Sequence, residues 1–147
     1  MFDHFHPIRQ RAVDSDRSGL DTANKLKSNL YQGHSSCIIT VGDVCNLPNA
    51  EVEDLFPASF LTGVITNFLR IFPQYEDDIF ASAIEEDKPI IPQIEAYAKK
   101  YDIRLELGWK VEVAKRAKSL FLRSKNPMEI FSDIVEVWNS LFTKIII

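Results

Sequence analysis

The chain has 147 residues, 46% of them apolar and 26% charged, which suits one soluble globular domain of modest core rather than a disordered chain. No apolar run is long enough to cross a bilayer, so no membrane partner is expected, and the start MFDHFHPIRQ lacks the pattern of a secretory signal. The net charge of −4 argues against a free-standing nucleic-acid binder, but the charge is unevenly spread.

Residues 9 to 14, RQRAVD, fit a short strand, although Arg9, Gln10 and Arg11 stand where a buried parallel strand carries apolar residues. A helix is predicted over 19 to 31, with Leu20, Ala23, Leu26 and Leu30 on one face, Ser18 as cap and Gly33 as stop. CIITV, 37 to 41, is β-branched and uncharged, as a buried strand requires. Strand, helix and strand within about thirty residues have the size of a βαβ unit. Such units set functional groups at the carboxyl ends of their strands.

After Pro57 the pattern turns helical. Leu61, Val64, Ile65, Phe68, Leu69 and Phe72 form one face. Residues 73 to 90 read as irregular. Pro92 opens a helix through Tyr101, and IRLEL is an extended piece. Trp109 to Leu122 is a further helix. Asn126-Pro127-Met128-Glu129 is a start signal for a last helix presenting Ile130, Phe131, Ile134, Val137, Trp138 and Leu141. The final Ile145-Ile146-Ile147 is an aggregation hazard unless packed. Cys37 and Cys45 form no CxxC pair and suit reduced thiols in a cytoplasmic protein. His4, His6 and His34 have no zinc spacing.

From Asp43 to Glu95 eleven acids face only Arg70 and Lys88. From Lys99 to Lys125 nine basic residues face Asp102, Glu106 and Glu112. This asymmetry matches either two solvated surfaces or a metal site beside a phosphate-contacting surface. The sharpest local signal is Asp14-Ser15-Asp16-Arg17-Ser18-Gly19. Two carboxylates so close repel by roughly 4 kcal/mol at 4 Å and an effective dielectric near 20. Water, a basic neighbour or a hard cation relieves that repulsion, so the pair is a natural ligand set for a divalent ion. Three other readings stand beside it. An EF-hand loop would need a bidentate Glu where Lys25 stands. A phosphatase-type DxD nucleophile has no further support in the chain. Asp and Ser capping a helix is the structural alternative. The second signal is Glu51-Val52-Glu53-Asp54-Leu55-Phe56-Pro57. If extended, it points Glu51 and Glu53 the same way; the alternative is a loop entering a helix.

The order DxDxxG, helix, buried strand, loop and EDLF resembles the TOPRIM domain of the OLD family, the overcoming-lysogenization-defect ATP-dependent endonucleases. The phrases that carry the resemblance are VDSDRSGLDTANKLK, CIITV and AEVEDLFPASFLTGV, with WKVEVAKRA similar to the family's lysine-bearing helix start. It covers Ala12 to Leu69 well and Lys110 to Ala117 loosely. DxDxxG is shared by all TOPRIM proteins, topoisomerases and primases included; EVEDLF leans towards the OLD branch. The resemblance implies an α/β fold, a partial TOPRIM-like parallel sheet over 1–72 followed by a mainly helical region over 73–147, packed as one domain. It implies Asp14 and Asp16 as metal ligands, Glu51 with Glu53 as neighbouring candidate for a further carboxylate, and Lys110 beside the scissile phosphate. The implied reaction is hydrolysis of DNA phosphodiesters with one or two Mg²⁺ or Mn²⁺ ions.

Two parts of the family pattern are missing from the sequence. No Glu precedes Asp14, where the family has a Glu-bearing strand, and no GxxxxGK[ST] phosphate loop occurs. A truncated or split copy is therefore expected, weak or inactive alone, with DNA, an ATPase chain or a second copy as partner. The alternative is a helical interaction module without catalytic activity, built on the apolar faces of 58 to 72 and 128 to 142.

Overall fold

The computed structural model describes residues 9–132 and 135–146; His4, His6, Ile134 and Ile147 lie outside them. Two compact units emerge, Met1–Val52 with Glu136–Ile147, and Glu53–Val135. The division falls ahead of residue 72, because the helix after Pro57 gives its whole apolar face to the core of the second unit. The chain is mixed α/β, mostly helical, with one small parallel sheet among the described residues. No helix among them is long and apolar enough to cross a membrane.

The first unit begins with β1 (Arg11–Val13), α1 (Arg17–Ser28) and β2 (Ile38–Thr40). The strands are parallel, with Arg11 opposite Ile38 and Val13 opposite Thr40. β2 is buried throughout, whereas Arg11 and Ala12 of β1 are exposed. The polar run at residues 9 to 11 thus belongs to an exposed strand, and charge there discourages unwanted pairing. Val13, Ala23, Leu26, Tyr31 and Ile38 pack together. The Tyr31 hydroxyl donates to the Arg9 carbonyl at 2.8 Å and accepts from Arg11 Nε at 3.3 Å, fastening the start of β1.

α1 is shorter than its apolar repeat predicts. It ends at Ser28, and Leu30, expected inside, is 80% exposed, while the next residue, Tyr31, is buried. CIITV is not all strand: Ser35–Cys37 form a 3₁₀ turn, and Val41 opens α2 (Val41–Cys45). Thr40 and Asp43 form a reciprocal capping box there. α8 (Val135–Ile146) supplies the last stretch of this unit, with Leu141 buried and Ile145 half-buried.

The second unit contains α3 (Ala58–Leu69), α4 (Asp77–Ala83), α5 (Ile90–Lys100), α6 (Trp109–Arg123) and the short α7 (Pro127–Ile130). Leu61, Val64, Ile65, Phe68 and Leu69 of α3 meet Phe80, Ile91, Ile94, Tyr97, Ile103 and Val113 in one core. α3 packs on α6 and α4, and α4 on α5. The α3 face, a possible docking surface by its apolar pattern, is therefore ordinary core. IRLEL forms no strand; Ile103 is buried and Leu105 packs beside it. The helix signalled by Asn126 stops at Ile130. Asn126 makes no side-chain cap, since its Nδ2 donates to Glu129 Oε1 at 2.9 Å, and Phe131 packs against Phe56, Phe60 and Phe121.

Candidate functional site

β1 ends at Val13, and Asp14, Ser15 and Asp16 make the turn into α1. The aspartates thus lie at a strand-to-helix junction. Asp16 has extended backbone and its Oδ1 accepts the Gly19 N–H at 2.7 Å, so Asp16, and not Ser18, caps the helix. An acid at this end also suits the helix dipole, which matters because no acid lies in the first turn itself. The Asp14 Oδ1 accepts the Val52 N–H at 2.9 Å. Ser15, only 5% exposed, donates its N–H to the Ala50 carbonyl at 2.7 Å and accepts the Gly42 N–H on Oγ at 2.6 Å. Main-chain bonds therefore bracket Glu51, at Ala50 on one side and Val52 on the other. The two aspartates are anchored by different N–H groups, one from a distant loop and one from the helix that follows.

Two glycines permit this closeness. A Cβ on Gly19 would lie 2.1 Å from the Asp14 carbonyl oxygen, and one on Gly42 would lie 2.7 Å from Ser15 Oγ and 2.8 Å from the Leu47 carbonyl oxygen. The glycine of DxDxxG is thus required by backbone packed on backbone. Asn46 and Asn49, both at positive φ, turn the loop back between Gly42 and Ala50.

The second acidic phrase is not extended. Val52–Leu55 wind into a 3₁₀ helix, where residues two apart do not share a face, so Glu51 and Glu53 lose the common direction that alternation would give. Glu51 belongs to the first unit and Glu53 to the second. Asp54 serves the fold, since its Oδ1 accepts the Ile90 N–H at 2.8 Å at the start of α5. Lys110 is half-buried in the first turn of α6, in the second unit.

No family model, curated protein or solved structure matches this chain. The site is therefore judged on its own donors. Among the described residues, no group of three His, Cys, Asp or Glu side chains is placed to hold a metal ion. That donor set does not suit a closed protein cage or a two-ion centre. It fits a single hard cation that keeps most of its water, since Mg²⁺ is commonly held by one or two carboxylates plus water and substrate phosphate. The Oδ2 atoms of Asp14 and Asp16 accept no hydrogen bond from the described residues and are the donors such an ion would use.

Ser15, Gly42 and the Thr40–Asp43 box were not among the residues expected from sequence. The box did have a signal, since T-V-G-D fits the capping pattern of a Thr followed three residues later by an acid. Asp43 Oδ2 accepts from Thr40 Oγ1 at 2.6 Å and from the Thr40 N–H at 3.1 Å, and these bonds hold its carboxyl below the usual 3.8. Cys37 and Cys45 are both half-buried and not disulfide-bonded to each other, the Cys45 Sγ donating to the Val41 carbonyl at 3.3 Å, and His34 is exposed.

Proposed function

We propose that this chain is part of a TOPRIM-type, metal-dependent DNA endonuclease, weak or inactive without a partner that completes its site. Asp14 and Asp16 hold one Mg²⁺ or Mn²⁺ ion, and Glu51 supplies the neighbouring carboxylate. The supporting observation is the DxDxxG turn at the end of a parallel strand, bonded to the main chain on either side of Glu51. Glu53 is left out of the ligand set because its segment is helical. When bound, such an ion offsets phosphate charge and lowers the pKa of a bound water. The chain's own part would be to present two anchored carboxylates to that ion, with Glu51 as the further carboxylate the resemblance implies. Lys110 is carried by the resemblance alone, as the residue that would offset charge on phosphate.

The test uses substitutions that keep the hydrogen bonds and remove the charge. Asn caps a helix as well as Asp does, and its carbonyl oxygen can still accept the Val52 N–H. Asp14→Asn with Asp16→Asn therefore leaves the melting temperature within about 3 °C, a shift worth less than ~1 kcal/mol. The same pair abolishes the Mn²⁺ binding followed by paramagnetic broadening of backbone amides. Absence of any Mn²⁺ response near these residues in the unaltered chain, at millimolar ion, would sink the proposal.

A second reading, a helical interaction module, draws on a different observation. Leu107, Val111 and Leu122 are more than half exposed along α6 or just before it, as are Ile71 and Met128. Mass in solution separates the two readings, because a clean monomer that binds Mn²⁺ removes the motive for this one.

A further inference from the structure

We propose that the first unit binds a free α-amino acid in a cleft between β2 and α8, holding its ammonium and its carboxylate by separate side chains. The cleft has a volume of about 370 Å³ and is lined by Gln10, Ser36, Ile38, Ile39, Asp43 and Lys144. All six belong to the first unit, and none is an acid of the DxDxxG turn, so the inference stands apart from the metal reading. Its volume is in the range of small-molecule sites, which set a few polar groups beside apolar walls.

Strand register brings these residues together. Arg11 stands opposite Ile38, and its side chain reaches Tyr31 in the cluster with Ala23 of α1. Successive residues of a strand face opposite ways, so Gln10, just before β1, and Ile39 fall on the sheet face away from α1. The capping box fixes Asp43 just past the end of β2. On α8, Leu141 is buried and Lys144 follows one turn later on the same side, which sets its side chain on the cleft.

The polar groups of the cleft are unspent. Gln10 Oε1 is buried and has no hydrogen-bond partner, and among the described residues Ser36 Oγ and Lys144 Nζ have none either. A buried acceptor without a partner costs stability, so its retention calls for a donor from outside the fold. Asp43 spends Oδ2 on Thr40 and keeps Oδ1 free for another donor. Lys144 and Asp43 thus line one cleft with opposite charges, yet form no direct ion pair. A ligand that is only an anion leaves Gln10 Oε1 and Asp43 without donors. One that is only a cation leaves Lys144 without an acceptor. A zwitterion meets both needs: its ammonium donates to Gln10 Oε1 and Asp43 Oδ1, and its carboxylate accepts from Lys144 and Ser36. The walls of Ile38 and Ile39 then favour an apolar side chain on the ligand.

The experiment titrates the full chain with L-leucine and follows its backbone amides by NMR. Isocaproate and isopentylamine, which lack the ammonium and the carboxylate respectively, are the comparison probes. Leucine is expected to give saturable shifts at Gln10 and at Ser36 to Asp43 at millimolar concentration, with either comparison probe at least ~10-fold weaker. Lys144→Met and Gln10→Met each weaken leucine binding by ~10-fold or more, while Lys118→Met, an exposed lysine of the second unit, leaves it unchanged. Stability separates this from damage to the fold. Lys144 is exposed and unpaired, so its replacement moves the melting temperature by less than about 3 °C. Gln10→Met exchanges an unpartnered buried acceptor for an apolar chain of like length, so it leaves the melting temperature unchanged or raises it. A chain that shows no saturable response to leucine overturns the proposal. So does isocaproate binding as tightly as leucine, which reduces the cleft to a site for any anion, and so does leucine binding that survives both Lys144→Met and Gln10→Met.

Discussion

Gly19→Ala is the sharpest test of the turn geometry. The added Cβ would stand 2.1 Å from the Asp14 carbonyl oxygen, 2.6 Å from its carbon and 3.0 Å from Asp14 Cα. All three are main-chain atoms and cannot swing aside. Restoring ordinary contact requires the first turn of α1 to retreat from the strand end by about 1 Å. Gly19 N–H is itself the donor to the Asp16 cap, and Asp14 carries the bond to Val52, so both are strained by the retreat. Forced overpacking costs roughly 1–3 kcal/mol and a lost cap about 1 kcal/mol more. The better helix propensity of alanine returns less than ~1 kcal/mol at this early position. The net expectation is a loss of about 2–3 kcal/mol. Gly63→Ala is the matched control. Gly63 lies inside α3 with nothing within 4 Å of its would-be Cβ, so the same change there adds roughly 0.5–1 kcal/mol of stability. Urea unfolding read by tryptophan fluorescence separates the units, because Trp138 belongs to the first and Trp109 to the second. A Gly19→Ala chain as stable as the unaltered one would refute the close approach of α1 to Asp14.

Two further outcomes follow from the packing and the capping box. Phe80 is fully buried and packs against Tyr75 and Tyr97, so Phe80→Ala is expected to cost about 3–5 kcal/mol and to shift the Trp109 transition in urea. The Asp43 carboxyl is held below its usual 3.8 by the Thr40 bonds, so its contribution is complete above that value and fades as pH falls through the lower folded one. Circular dichroism melts should show the chain losing stability below about pH 4, with a smaller loss in Asp43→Asn; an identical acid response in the two would remove Asp43 from the account.

What the sequence disclosed depended on how each residue is held. α1, α3, α5 and α6 were visible because apolar residues recur at the period their backbone imposes, and β2 because it is a short β-branched run; β1, polar and exposed, carried only a faint signal. α4 escaped because its seven residues bury one side chain completely, Phe80, and one buried residue has no period. α2 escaped because Val41 completes a β-branched run, although Thr40 and Asp43 had already written the start of a helix. Leu30 looked like the last inward position of α1, but the chain leaves the helix at Asn29 and turns Tyr31 inward in its place. At the candidate site the aspartates of the strand-to-helix turn stood out in the sequence, and Ser15 did not. A serine between two acids carries no pattern; its significance lies in a bond to a residue 27 positions away.

In the proposed reading, capping and metal binding need not compete for the same aspartates. A cap uses one carboxylate oxygen, and both acids offer Oδ1 to a main-chain N–H. Those bonds fix each carboxylate plane and give the negative pair a favourable neighbour, which lowers the cost of holding two charges at one strand end. The atoms left over are then presented from a fixed frame, and prior ordering is what a weakly coordinated ion gains most from. A helix cap that ended at solvent would need none of the rest: neither Ser15 buried against Gly42, nor Asp14 reaching Val52, nor a glycine flush with the Asp14 carbonyl. The surplus of constraint at residues 14 to 19, beyond anything α1 requires, is what the proposed reading of this turn rests on.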